Sequence, residues 1–243
     1  MLFRSEDGHQ ASFAPAPLDE VIAAIEKEKP DVVFAPHVET SAGMILPQDY
    51  MKGVADAVHS VGGLFVLDCI ASGTVWVDMA ATGVDILISA PQKGWSASPC
   101  SALVMMGEEA RSRIDDTTST SFSADLKKWL QIMEAYEGGG HAYHATMPTD
   151  AIVKFHGAMM ETKEYGFEKV CGKQLELGIK VRELLEGRGF KSLASDGFKA
   201  PGVVVSYTDD ADVHNGSKFA KAGLQTAAGV PLMCDEPADF RTF

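Results

Sequence analysis

Three short segments of this 243-residue chain carry the residue types that chemistry uses. His37–Val38–Glu39–Thr40–Ser41–Ala42–Gly43 gathers hydroxyls and closes on a turn glycine. Asp68 ends the apolar run Leu64–Phe65–Val66–Leu67, with Ile70 two residues on, and Ser89–Ala90–Pro91–Gln92–Lys93–Gly94–Trp95 follows a third apolar run. Each run reads as a strand, and open α/β sheets bind ligands beyond the carboxyl ends of their strands. Taken singly the residues are ordinary: an Asp at a strand end caps the next turn, and a lone Lys stands at the surface. Together, an acid on one strand end and a lysine on another suit a cofactor that needs a carboxylate for a ring nitrogen and an amine for an aldehyde. That cofactor is pyridoxal phosphate. A lysine in this role must shed its proton to attack the aldehyde, and can then act as general base and acid at carbon.

The elements that would hold these segments follow from periodicity. Leu18, Val21, Ile22 and Ile25 recur at helical spacing, Asp19 and Glu20 suit the positive end of the helix dipole, and Pro30 stops the run. Asp31–Ala35 is too short for a helix and rich in β-branched residues, which predicts a buried strand. A second helix starts at Pro47, shows Met51, Val54, Ala55 and Val58 on one face, and ends at Gly62–Gly63 before the strand 64–68. Further strands are expected at 84–89 and 102–106. Continuous apolar strands alternating with amphipathic helices predict an α/β fold with a mostly parallel sheet and helices on both faces. Beyond residue 107 the spacing predicts helices over 107–114 and 124–136, a glycine loop at 137–141, and helix from Thr149 to about Arg188 with bends at Gly166 and Gly172. A strand at 202–207, a helix over 213–228 and a short run 230–233 complete part of a smaller α+β domain. The expected division is 1–165 for the large domain and 166–243 for the partial C-terminal one.

Composition narrows the function classes. The hydrophobic share is 46%, and Lys+Arg 21 against Asp+Glu 34 gives a formal charge of −13, a surface that repels phosphate backbones and anionic lipid heads. Neither nucleic acid nor a membrane is an expected partner. Cys69, Cys100, Cys171 and Cys234 form no C-x-x-C pair, and no apolar run approaches the ~18 residues of a bilayer span, so a cytoplasmic protein with reduced thiols is expected. The dinucleotide, P-loop, serine-hydrolase and zincin motifs are absent. His141 and His144 have no carboxylate or thiol nearby in sequence, so no metal site is expected.

The motifs E-T-S-A-G (39–43), L-F-V-L-D-C-I-A-S (64–72), D-I-L-I-S-A-P-Q-K-G-W (85–95) and Y-H-A-T-M-P (143–148) resemble, in order, the class V, fold-type I aminotransferases. The similar branch is that of the alanine–glyoxylate, serine–glyoxylate and serine–pyruvate enzymes. The resemblance implies roles residue by residue. Lys93 stands at the Schiff-base lysine, Asp68 at the carboxylate on the pyridine nitrogen, and Ile70 at the apolar residue on one ring face. Thr40 stands at the hydroxyl beside the ring and Gln92 at the amide beside the phosphate. Tyr143 and Thr146 match a pair that reaches the phosphate of the neighbouring subunit, which implies a homodimer. The implied reaction moves an amino group by a ping-pong route from alanine or serine to glyoxylate or pyruvate.

The resemblance also implies a chain truncated at both ends. The family's phosphate loop and stacking aromatic lie upstream of residue 1, and the family's substrate-binding Arg lies in a strand past Phe243, with Arg241 the nearest residue of that type. Alternatives within the group are 2-aminoethylphosphonate and ureidoglycine transaminases, whereas Gln92 argues against the desulfurases and lyases that carry His before the lysine. Outside it stand a non-catalytic remnant that keeps the fold and dimer surface, and an unrelated doubly wound protein in which Asp68 and Lys93 form only a buried salt bridge. Trp76, Trp129, Met159 and Met160 read as core or, for the methionines, dimer contact.

Overall fold

A computed structural model describes residues 2–4, 10–230 and 241–243. A short antiparallel pair, β1 (Leu2–Arg4) and β2 (Phe13–Pro15), precedes α1 (Leu18–Glu28) and β3 (Val32–Pro36). The hairpin of β4 (Val38–Glu39) and β5 (Met44–Ile45) leads to α2 (Gln48–Ser60) and β6 (Leu64–Asp68). Then come α3 (Met79–Thr82), β7 (Ile86–Ser89) and β8 (Leu103–Met106). Among the described residues the main sheet has the order β3-β6-β7-β8, with β3, β6 and β7 parallel and β8 antiparallel. The α/β fold with a mostly parallel sheet is therefore present.

The first half forms as its pattern requires. The α1 stripe turns Ile25 inward, and the helix ends where Lys29 adopts a left-handed φ of 48° and donates to Ile25 O. The α2 face of Met51, Val54, Ala55 and Val58 meets Phe65, Leu67 and Leu87 in one cluster. Phe65, Leu67 and Val58 are fully buried, each worth about 1.5–3 kcal/mol of apolar transfer. Among the described residues the strand expected to be buried at 31–35 lies at the sheet edge instead: β6 flanks it on one side, and alternate residues Val32 and Phe34 are exposed. Apolar composition marks it as a strand, and strand order alone makes it an edge.

The second half departs further. Helices α4 (Glu108–Arg113) and α5 (Leu126–Glu137) lie near their expected places. The long helical stretch divides at Gly166, φ 103°, into α6 (Thr149–Tyr165) and α7 (Phe167–Glu186), while Gly172 sits inside unbroken α7. Residues 202–207 form only isolated bridges, Ser192↔Ser206 and Tyr207↔Thr242, rather than a strand. The expected helix 213–228 is two short ones, α8 (Ala211–His214) and α9 (Ser217–Lys221), because Gly216 takes a left-handed φ of 76° between them. Of the run 230–233 only Val230 lies within the described residues, outside any strand. A second core joins Phe13, Ala42 and Met44 to Leu193, Ala194, Val205 and Tyr207, so β2 packs on the C-terminal part. Cys69, Cys100 and Cys171 are free thiols; Cys234 lies outside the described residues. No helix among the described residues is long and apolar enough to cross a membrane.

Candidate active site

Parallel strands bring their carboxyl ends to one edge. Pro36 pairs with Asp68, and Asp68 with Ile88, so the loops after β3, β6 and β7 start side by side at strand spacings of about 4.8 Å. Two backbone bonds extend the ladder past the strands, His37 N to Asp68 O at 2.8 Å and Cys69 N to Ile88 O at 2.7 Å. Asp68 is half-buried, and its Oδ1 accepts from Ile70 N at 2.8 Å, the local turn cap its position suggests. Among the described residues its Oδ2 has no hydrogen-bond partner, so one carboxylate oxygen is aimed by the turn and the other is available.

The Lys93 loop is a compact turn held by Ala97 N to Pro91 O and Ser96 N to Lys93 O, both 3.0 Å. It is pressed onto the loop that follows Asp68. A Cβ on Gly94 would sit 2.5 Å from the carbonyl carbon of Gly73 and 3.0 Å from its Cα, and closer still to its oxygen. Trp95 then stacks at 4.9 Å on Trp76, whose indole N–H donates to Phe167 O at 3.0 Å. The Lys93 backbone is thus fixed while its side chain is exposed, with neither hydrogen bond nor ion pair among the described residues. No Asp68–Lys93 salt bridge exists among them, which corrects that alternative. Trp76 and Trp129 are likewise not core residues: Trp76 braces Trp95, and Trp129 meets the His144 ring edge-on at 5.1 Å. Met159 and Met160 are 38% and 48% exposed, which removes their core reading.

The other expected residues divide into two groups. Ile70 is half-buried beside Asp68, Gln92 is exposed beside Lys93, and Thr40 is exposed in the β4–β5 hairpin, which turns at Gly43 with φ 64°. Thr40 and Ser41 line a cavity of about 440 Å³ whose far wall is Val203, Val204 and Val205. Tyr143 and Thr146 stand apart, bonded to each other at 3.2 Å with Tyr143 78% exposed. No hydrogen bond or ring contact joins them to the Asp68 or Lys93 loops among the described residues. Arg241 donates to Asp209 O at 3.1 Å.

Sequence reasoning did not single out the groups beneath this edge. His37 is 2% exposed, its Nδ1 lies 2.7 Å from Ser72 Oγ, and burial lowers its pKa to about 4, so it is neutral. Burial pushes the Cys69 thiol up to about 12, the Ser72 hydrogen bond works against that rise, and the Asp68 charge adds to it. Both groups are thereby inert supports next to Asp68. Gln174, on α7, accepts from Thr74 N at 2.6 Å and from Thr74 Oγ1 at 2.8 Å, a link across 100 residues that no local pattern announces. The glycines of D-C-I-A-S-G and Q-K-G were the available signal, since each marks a close backbone approach.

These residues fit the ring end of pyridoxal phosphate. Asp68 offers an oriented carboxylate oxygen, Ile70 an apolar neighbour and Lys93 an unpaired amine, and the Gly73–Gly94 contact, which any Cβ would fill, brings their loops together. The cavity beside Thr40 is not lined by Asp68 or Lys93.

The chain is similar to proteins of known activity. The model of the aminotransferase class-V family matches residues 9–222. Alanine–glyoxylate aminotransferase of Felis catus is 27% identical over 74% of this chain and 43% of its own length. The 2-aminoethylphosphonate–pyruvate transaminase of Salmonella schwarzengrund is 28% identical over 75% of this chain and 48% of its own. The chain spans less than half the length of these curated relatives. Its fold matches a solved aspartate aminotransferase from Thermus thermophilus with TM-score 0.75 at 20% identity, covering 94% of this chain and 60% of that one. An alanine–glyoxylate aminotransferase from Nostoc gives TM-score 0.70 at 23% identity, over 85% and 53%. With the family match running from before β2 to the end of α9, this chain belongs to the class-V aminotransferases, a family of pyridoxal-phosphate-dependent transaminases.

Proposed function

We propose that this chain carries the lysine and aspartate of a transaminase site that moves an amino group, in ping-pong fashion, from alanine or serine to glyoxylate or pyruvate. The observation that supports it is the interlocking of the Asp68 and Lys93 loops at the sheet edge, inside a family match that includes both. Lys93 Nζ would hold the cofactor through its aldehyde carbon, the aldehyde oxygen leaving as water, Asp68 Oδ2 would keep the proton on the ring nitrogen, and Ile70 would pack against one ring face. Thr40 Oγ1 would bond beside the ring, and the Gln92 amide would bond the phosphate. When bound, pyridoxal phosphate supplies the ring that accepts the electron pair left as a bond at the substrate α-carbon breaks. Lys93 Nζ would take the substrate α-proton as general base and return a proton as general acid, and its unpaired, exposed side chain has the freedom this shuttle needs.

A homodimer is part of the same proposal. Phe122, Met133, Tyr136, Tyr143 and Val153 are exposed apolar residues of the segment 122–153, and exposure to solvent does not favour them. Burying them against a second copy would bring Tyr143 and Thr146 towards the neighbouring site. We assign 1–165 to the large domain and 166–243 to part of the small one, divided at Gly166, with β2 packing across. Free Cys69, Cys100 and Cys171 suit a reducing, cytoplasmic setting.

The test is the visible absorption spectrum of the purified chain with pyridoxal phosphate, before and after L-alanine, with Lys93→Ala as control. A band that needs Lys93 and bleaches with alanine is expected. A Lys93-dependent band that ignores alanine but responds to 2-aminoethylphosphonate would favour that donor, as the Salmonella similarity allows. Absence of any Lys93-dependent band would leave a remnant that keeps the fold alone.

A further inference from the structure

We propose that Gln174 is a positioning residue that holds Lys93 in register with Asp68, an inference resting on the roles just given to those two residues. Gln174 lies in the first half of α7, far from both in sequence, yet its amide oxygen accepts both donors of Thr74, N at 2.6 Å and Oγ1 at 2.8 Å. Thr74 Oγ1 reaches a second acceptor on the same helix, Val170 O, at 3.3 Å. Near Asp68 the segment is held by Cys69 N to Ile88 O at 2.7 Å and by the 2.7 Å bond between His37 Nδ1 and Ser72 Oγ, and its other backbone bonds, Ile70 N to Asp68 Oδ1, Ser72 N to Cys69 O and Val75 N to Ser72 O, are internal. Gln174 thus anchors the Thr74 end of this loop, beyond the reach of the bonds at Cys69 and Ser72.

The anchor transmits to Lys93 by contact. Gly73, with φ 64°, is enclosed between the Gln174 amide on one side and Gly94 on the other, and at either glycine a Cβ would overlap the facing group. Moving Gln174 therefore moves Gly73, which abuts the backbone of Gly94, next to Lys93. Gln174 cannot itself drift, because α7 is seated along the same face. One turn on, a Cβ on Gly178 would come within 2.5 Å of Pro201 O. One turn further, buried Arg182 donates to Ala200 O at 2.5 Å and to Val203 O at 3.2 Å. Residues 174, 178 and 182 are spaced by four and share one helix face. This face ties the loop after Asp68, and through it the Lys93 turn, to one rigid helix.

Hydrogen exchange on the purified chain tests the proposal without cofactor. In Gln174→Leu, which removes the acceptor, exchange of the Ser96 and Ala97 amides in peptide 90–98 is expected to quicken about 10-fold, the factor a lost hydrogen bond of ordinary strength corresponds to. Protection of Phe65 and Leu67 in the main sheet should stay unchanged. Gln174→Glu keeps both acceptor positions and should restore 90–98 to within about 2-fold of the parent. With pyridoxal phosphate present, half-saturation of the Lys93-dependent band should rise in Gln174→Leu and recover in Gln174→Glu. Unaltered exchange at 90–98 in Gln174→Leu overturns the proposal, whether or not a band forms. Loss of protection everywhere in both Gln174→Leu and the milder Gln174→Asn overturns it too, since the role would then be general stability. Absence of any band in the parent chain refutes the transaminase reading and leaves the exchange result to decide this one.

Discussion

Replacing Gly94 by alanine separates the two loops on which the site depends. The added methyl would lie 2.5 Å from the carbonyl carbon of Gly73 and 3.0 Å from its Cα, where ordinary carbon contacts begin near 3.4 Å. Gly94 does not have a left-handed φ, so the backbone accepts alanine and the clash is the whole effect. The obstructing group is backbone, backed by the Gln174 amide, and cannot swing aside as a side-chain tip would. The loops must part by about 1 Å, and overpacking of this kind costs about 1–3 kcal/mol. A displacement of about 1 Å at a reacting group costs on the order of 100-fold in rate. The unfolding midpoint in urea, followed by fluorescence of the Trp76–Trp95 pair, reads the first quantity, and affinity of the Lys93-dependent band for pyridoxal phosphate reads the second. Gly172→Ala, on α7 with nothing within 4 Å, is the control and should not weaken either. A Gly94→Ala chain with the parent's midpoint and cofactor affinity would refute the contact between the loops and the site built on it.

Two other perturbations test the groups around the edge. His37 has a pKa lowered from 6.5 to about 4 by burial, so the unfolded chain takes up a proton that the folded one refuses as pH falls. Stability should be unaffected by His37 above about pH 6.5 and decline from there to about pH 4. The full difference is about 3 kcal/mol, which a His37→Asn chain should lack in urea melts across that range. Arg182→Leu removes three charge-assisted bonds to carbonyls, of Gly43, Ala200 and Val203, but also a desolvated guanidinium whose Nε has no partner among the described residues, for a net loss of about 2–3 kcal/mol. An unchanged urea midpoint would show that water or backbone replaces it.

The elements legible without coordinates are those whose cause is local. The α1 stripe with its proline stop, the α2 stripe between Pro47 and Gly62–Gly63, and the apolar runs at 64–68 and 86–89 state their own conformation, because side-chain spacing and punctuation act within a few residues. Asp68 and Lys93 were legible for a related reason: strand ends can be read from composition, and parallel strands must finish on the same edge. Misreadings occurred where the outcome depends on distant partners. Val32 and Phe34 are as apolar as a buried strand, yet only sheet order leaves them exposed. Residues 202–207 have strand composition without a continuous neighbour, and Gly166 breaks a helix while Gly172 does not, since only the first has a positive φ.

By itself, then, the sequence determined the α/β class and the family, because periodicity and short motifs are written in consecutive residues. Tertiary structure alone decided that the Asp68 and Lys93 loops touch through two glycines, that His37 is buried and neutral, and that Gln174 reaches Thr74. Those facts depend on which surfaces meet after folding, and close contact between segments tens of residues apart leaves no periodic trace in either one.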